Sequence, residues 1–441
     1  MTSAVLFERI TVVTPNQVNQ MQAFPESWVA VRDGKIAFCG LAEEQAKAAL
    51  MGQPYEIYPG KDRLLLSTFA NTHGHLAMTV LRNQADDYQL HDWLFQVIFP
   101  REERLTHDIV LHGTRLAIAE MIRSGTGAAA DMYYFDDAVA QAALEAGFRV
   151  NLCVDVKKKN ASGKVVLDPN LLDQKMKDYH CHPSQLLRVS MLLHSVYLYE
   201  PAIYPQMAEL AKSAACPVQV HVGETRKEVI DCLSVYGKRP AEQLEAFGFF
   251  QTPTIASHCV HLDDAERSIL ARNQVLAAHC PASNLKLGSG MADLPAMVKA
   301  GVRVGIGTDG AASNNSLDLF QDIRLASFLA KGLTGDASVL PASDLLYMAT
   351  EQGYAGLCFD QAGRIEAGKD ADLQIVRTDL PAMVPLGNPV SALVYSCDGS
   401  AVDSLMIGGR WLMLHRELKT MDEERVLYDA RIAAATMNFL A

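Results

Sequence analysis

Between Leu65 and Asp309 short apolar runs alternate with helix-like stretches about eight times, and several of the runs end in histidine or aspartate. Few folds accept that pattern. Strand and helix in strict alternation predict a parallel sheet, and this number of repeats predicts a (β/α)₈ barrel, an α/β fold in which chemistry gathers at the C-terminal ends of the strands. The residues at those ends are His73 and His75, His194, His221, His258, His279 and Asp309.

The flanks have a different texture. RITVV and WVAVRDGKIAFCG, with Asp33-Gly34 between strand-like runs, predict a hairpin, and GRIEAGKDADLQIV, SALVYS and SLMIGGRWLM repeat the texture near the other end. The expectation is a small β-sandwich built from residues 1–67 and 361–441 around a barrel at 68–360, with a terminal helix after Asp422 whose role is not readable. At 441 residues, 49% apolar and 20% charged, the chain has room and core for both units. A formal charge of −12 offers no electrostatic footprint for nucleic acid or an anionic membrane. The nine cysteines form no CxxC pair, and the N-terminus lacks a signal-peptide core, so a cytoplasmic protein with buried thiols is expected.

His73 and His75 lie two residues apart at the end of an apolar run, so an extended backbone presents both imidazoles on one side as half of a metal site. A lone HxH is more often two histidines in a polar turn. The downstream residues decide between the two. His221 opens HVGE, which places Glu224 just beyond a strand, where a carboxylate can exchange a proton with a metal-bound water. His258 ends ASHCVH; alone it reads as a core histidine, beside the others as a functional one. Asp309 ends VGIGTDG, where a buried carboxylate needs a cation or dense hydrogen bonding. His261 and His279 read as structural, or as supports behind the site residues. Two decoys stand apart. Residues 305–310 match GxGxxG but put Asp309 where a pyrophosphate would sit, and His180-Cys181-His182 has ligand spacing in a polar stretch that reads as surface loop. HExxH, GxSxG and P-loop patterns are absent.

NTHGHLAM, HVGET, SHCVHLD, PASNLKLGSG and GTDGAASNNSLDLF together resemble the amidohydrolase superfamily, and within it the S-adenosylhomocysteine / 5'-methylthioadenosine deaminase branch of the wider group that includes triazine hydrolases. The resemblance implies a barrel with a flanking sandwich and one divalent metal per chain, zinc or else iron. It implies His73, His75, His221 and Asp309 as ligands, Glu224 as proton shuttle, His258 as the group orienting the attacking water, and Glu102 and His194 as substrate-binding residues. The implied reaction is hydrolytic deamination of an amino-substituted N-heterocycle, an adenosine-type nucleoside, with release of ammonia. Pterin, guanine or cytosine deamination, triazine dechlorination, a metal-free binding barrel and a nicotinamide dehydrogenase are the alternatives. The first motif reads HGH where the branch has HTH. Where the branch places arginines for the substrate tail, this chain has Val154, Asp155 and then lysines, and LLHSVY lacks the proline usual after His-Ser. The partner is a small heterocycle, and a homo-oligomer, dimer or tetramer, is expected.

Overall fold

The computed structural model describes residues 4–84, 86–160, 164–180 and 182–437. Eight parallel strands pair in chain order: β1 (Phe69–Asn71), β2 (Thr126–Asp131), β3 (Arg149–Val154), β4 (Leu187–Leu192), β5 (Val218–Val222), β6 (Thr254–His258), β7 (Leu276–His279) and β8 (Arg303–Ile306). The Thr72 N–H donates to the Ile306 carbonyl at 3.0 Å, just past β1, and brings the two edge strands together. The α/β barrel expected from the alternation is the observed architecture. β2, β3, β5, β6 and β7 are buried along their whole length, because helices cover the outer face while side chains fill the inner one. That is why these strands read as continuous apolar runs rather than alternating ones.

The glycines of residues 305–310 serve this closure. A Cβ on Gly305 would lie 2.4 Å from Thr72 Cγ2, and one on Gly310 would lie 2.6 Å from Met78 Sδ. They allow close backbone approach within the barrel, which accounts for the dinucleotide-like spacing.

The two ends of the chain form one nine-stranded mixed sheet. Leu373–Arg377 pairs antiparallel with Arg63–Ser67, which in turn pairs parallel with Ala4–Pro15. The Asp33-Gly34 hairpin is present, with Arg32 opposite Lys35, and Gly408-Gly409 joins Val402–Ile407 to Arg410–Leu414. Along Arg63–Ser67 the period of two is visible. Leu64 and Leu66 join the large core around the barrel, whereas Leu65 packs inside the sheet with Val5, Val29 and Met406. At the base of the barrel Arg149 is 5% exposed at its side chain and bridges to this sheet. Its Nε donates to Asp372 Oδ2 at 2.5 Å and its Nη2 to Asp370 Oδ2 at 2.9 Å.

The terminal helix Glu423–Met437 docks on the helix His107–Arg123, where Arg123 grips Glu423 through Nε at 2.6 Å. Its role, unreadable in sequence, is to cover an outer helix of the barrel. Cys181 lies outside the described residues. His180 ends a single π-helical turn, Met176–His180, rather than a loop, and His182 bonds Ser184; among the described residues neither joins a group of potential metal ligands.

Candidate active site

At the C-terminal mouth of the barrel the residues anticipated from strand ends converge. His73 and His75 follow β1, His221 lies in β5, His258 closes β6 and Asp309 follows β8. The ring centroids of His75 and His221 each lie 5.0 Å from that of His73, and that of His258 lies 5.2 Å away. Asp309 Oδ1 stands 3.4 Å from His73 Nε2 and 3.2 Å from His75 Nε2. His73, His75 and His221 can each offer one donor atom within 4.8 Å of the others, and so can His73, His258 and Asp309.

Backbone geometry explains part of the convergence. His258 and Asp309 adopt left-handed conformations, φ 71° and 62°, which turn each side chain into the barrel mouth instead of continuing the strand. For residues with a Cβ this costs about 1–2 kcal/mol each, and such strain clusters where a side chain must be aimed. The Asp309 N–H donates to the His73 carbonyl at 3.0 Å, tying the first motif to the last.

The hydrogen bonds leave ligand atoms bare on one side. His75 Nδ1 donates to the Met132 carbonyl at 2.5 Å and His221 Nδ1 to the His194 carbonyl at 2.8 Å, so each directs its Nε2 inward. Both ring nitrogens of His73 are buried without a hydrogen-bond partner. Asp309 Oδ2 accepts from the Ser283 and Ser313 hydroxyls at 2.6 and 2.8 Å, while Oδ1 faces the imidazoles. Orphaned polar atoms in a dry interior are costly, and nitrogens plus one carboxylate are the donor set of a divalent cation such as zinc. The residues fit a metal.

Charge points the same way. Burial pushes the His73 imidazole down to about 4, and burial together with His194 drives that of His221 well below its ordinary value. For His75 burial opposes the charge, but Asp309 overrides it and raises the group to about 9. Asp309 itself is held well below the usual carboxylate range, because the adjacent His73 and His75 imidazoles outweigh its burial. Burial thus favours neutral His73 and His221, while Asp309 favours positive charge beside it, the place a cation would take.

Glu224, 7% exposed, stands beside this cluster with Oε1 3.3 Å from Ser289 Oγ and Oε2 3.9 Å from His258 Nε2. Burial raises its carboxyl above the ordinary value, with His258 opposing. The His258 Nδ1–H donates to Asn284 Oδ1 at 2.8 Å, which leaves Nε2 as the inward acceptor.

Above the cluster opens a cavity of about 260 Å³ that takes in Glu102 and His194. Its wall is aromatic, with Trp93, Phe99, Tyr133, Tyr134, Tyr197 and Tyr199. Glu102 arrives on the short helix Phe99–Glu102 and faces the Tyr133 and Tyr134 hydroxyls, its carboxyl raised by burial. His194 is pushed down to about 3 by burial and neighbouring positive groups, so it is a neutral imidazole. Asp155 also lines the cavity, its Oδ1 2.7 Å from Lys157 Nζ, which lies 4.5 Å over the Tyr199 ring.

All eight residues singled out in the sequence therefore meet at one mouth. His261 bonds the Ser289 carbonyl away from the cluster, and His279 is buried outside both potential ligand groups. Sequence reading missed the residues that hold the others: Ser283, Ser289, Asn284 and Ser313. Their signal was present, in PASNLKLGS and TDGAAS, as polar residues crowded just after strand-like runs.

Comparisons with known proteins agree with this geometry. Residues 64–412 match the model of the amidohydrolase family. Over 428 residues the chain is 39% identical to the 5-methylthioadenosine/S-adenosylhomocysteine deaminase of Acetivibrio thermocellus, spanning 97% of this chain and 98% of that one. It is 41% identical over 388 residues to the 5'-deoxyadenosine deaminase of Methanoregula boonei, spanning 88% and 87%. The crystal structure of an adenosine deaminase from Xanthomonas campestris with bound zinc is similar over 99% of this chain and 98% of that one, at 32% identity and a TM-score of 0.90. Barrel, ligand geometry and relatives lead to one assignment: the chain belongs to the amidohydrolase family.

Proposed function

We propose that this protein is a hydrolytic deaminase of adenosine-type nucleosides, replacing the exocyclic amine of the purine by oxygen and releasing ammonia. The observation that carries the reading is the buried His73, with both nitrogens unpartnered and Asp309 3.4 Å away, beneath an aromatic-walled cavity of about 260 Å³. The names of the three relatives given above, each an adenosine-type deaminase, supply the substrate class. His73, His75, His221 and Asp309 would hold the metal, one per chain, and zinc suits the nitrogen-rich set best. Bound there, a divalent cation lowers the pKa of water toward ~7 and so supplies a nucleophile at neutral pH.

The protein's residues do the rest. Glu224 accepts one proton of the attacking water and delivers it to the ring nitrogen, then passes the second, from the added hydroxyl, to the amine, so that ammonia leaves as the C–N bond breaks and the carbonyl forms, a role its raised pKa favours. His258 Nε2, fixed by Asn284, accepts from the same water and aligns it on the ring carbon. Asp309 keeps Oδ1 toward the water while the two serine hydroxyls hold Oδ2. Glu102 and neutral His194 bind the heterocycle and ribose by hydrogen bonds, and the tyrosine wall covers the base and excludes water.

Two outcomes test the reading. His73→Ala is expected to lower bound metal well below one per chain by elemental analysis, with the barrel intact by circular dichroism; an unchanged stoichiometry would show that the anchoring motif is elsewhere. In an ammonia-release assay 5'-deoxyadenosine and 5'-methylthioadenosine are expected to be turned over, whereas guanine, cytosine, pterins and chlorotriazines are not. No lysine or arginine is among the described residues lining the cavity, and Lys157 beside it is paired with Asp155, so the carboxylate of an amino-acid tail meets no unpaired cation there. S-adenosylhomocysteine is therefore expected to show kcat/KM at least ~10-fold lower than methylthioadenosine, about 1.4 kcal/mol. Equal values would overturn this reading of the tail.

A further inference from the structure

Glu228 lies outside the cavity's reacting centre yet is buried, at 4% exposure, in the first turn of α1 (Arg226–Tyr236). Thr225 is the N-cap of this helix, and its hydroxyl accepts from the Glu228 N–H at 3.1 Å. In a capping box the acid at this third position reaches back to the N–H of the cap residue itself. Here it reaches further. Glu228 Oε1 accepts from the Gly223 N–H at 2.9 Å and Oε2 from the Glu224 N–H at 2.8 Å. Gly223 has a left-handed backbone, φ 57°, and so turns the chain between the last residue of β5, Val222, and Glu224. The two successive amides converge on one carboxyl group, as in a backbone nest, and oppose the burial that raises its pKa to about 8.

We propose that Glu228 is a positioning residue for the reaction, which clamps the Gly223–Glu224 turn and thereby sets where the Glu224 carboxylate stands. This rests on the proton-shuttle reading of Glu224. A carboxylate is the side chain this job requires, because two parallel donors need two acceptor oxygens. A carboxamide offers one oxygen and turns its NH₂ against the other amide. Burying a carboxylate is costly, and helix capping alone does not call for it, since Thr225 already serves the helix. What the buried carboxylate contributes is the fixed origin of the Glu224 side chain, whose oxygens stand 3.3 Å from Ser289 and 3.9 Å from His258. Displacement of about 1 Å at such a point costs on the order of 10² in rate.

The test compares four variants in the full-length, metal-loaded protein. Glu228→Gln is expected to lower kcat by ~10- to 100-fold, with KM within ~3-fold of the parent and metal still at one per chain. Glu228→Asp, which restores two acceptor oxygens on a shorter stem, is expected to recover part of that loss. Thr225→Ala removes the helix cap without touching either amide, so it lowers the thermal midpoint while kcat stays within ~2-fold. Glu224→Gln is the reference. If that variant keeps near-normal turnover, the shuttle reading itself fails. If it is inactive while Glu228→Gln turns over like the parent, or if Thr225→Ala loses as much kcat as Glu228→Gln, the positioning role is overturned and the shuttle stands. Should Glu228→Gln not accumulate as folded protein, Glu228→Asp decides: a kcat equal to the parent's overturns the proposal, and a selective kcat loss with KM retained supports it.

Discussion

Replacing Glu224 by glutamine is expected to lower turnover of an adenosine-type nucleoside by ~10² to 10⁴, with fold and metal content preserved. The side chain keeps its size, and Ser289 Oγ can still hydrogen-bond its oxygen. What disappears is a group that can both take and return a proton within reach of the metal cluster. His258 Nε2, 3.9 Å away, is the nearest alternative base. Its ring is tethered through Nδ1 to Asn284, so it lies on the water's side and is not placed to deliver a proton to the leaving amine. A single-turnover assay by absorbance at the purine band, with metal measured on the same sample, checks the result. Turnover within a few-fold of the parent, with metal bound, would falsify the shuttle role.

The second large effect is on stability. Arg149→Ala is expected to destabilise the protein by about 3–5 kcal/mol, read as a lower urea midpoint and a lower thermal midpoint. Arg149 makes two bonds to Asp372, at 2.5 and 3.0 Å, and Asp372 is fully buried with one further bond from the Gly408 N–H at 2.8 Å. Removing the guanidinium strands that carboxylate between the barrel base and the terminal sheet. The double variant Arg149→Met with Asp372→Asn is expected to lose less than Arg149→Ala, since it removes the buried charge along with its partner. A double variant worse than the single would mean that the bridge acts by packing, through Arg149 against Phe359, rather than by charge. Active-site metal content is expected to be unaffected, because the bridge sits at the opposite end of the barrel from the histidines.

Much of this was visible in the residues, for identifiable reasons. A strand's period of two makes His73 and His75 share a face, and a parallel barrel forces every strand-end side chain toward one mouth, so long-range convergence followed from local pattern. Asp309 announced itself because a carboxylate after small, β-branched residues has few ways to be buried. Glu102 was different: it arrives on the four-residue helix Phe99–Glu102, half-buried, and only the family resemblance singled it out. Ser283, Asn284, Ser313 and Glu228 escaped because a hydroxyl, amide or acid in a loop or first helical turn has no periodicity, and its partner is unknown until the fold brings it close. The expected sandwich from both termini took the form of one mixed sheet, whose central pairing between Arg63–Ser67 and Leu373–Arg377 no local pattern could specify.

That pairing also has a consequence in time. Ser67 waits for Gln374, 307 positions later, to complete its hydrogen bonding. At ~5–20 residues per second on the ribosome the gap lasts on the order of 15–60 s, during which an apolar strand edge is solvent-exposed on the nascent polypeptide. Translation speed and chaperone supply therefore act on that open edge before its native partner strand exists.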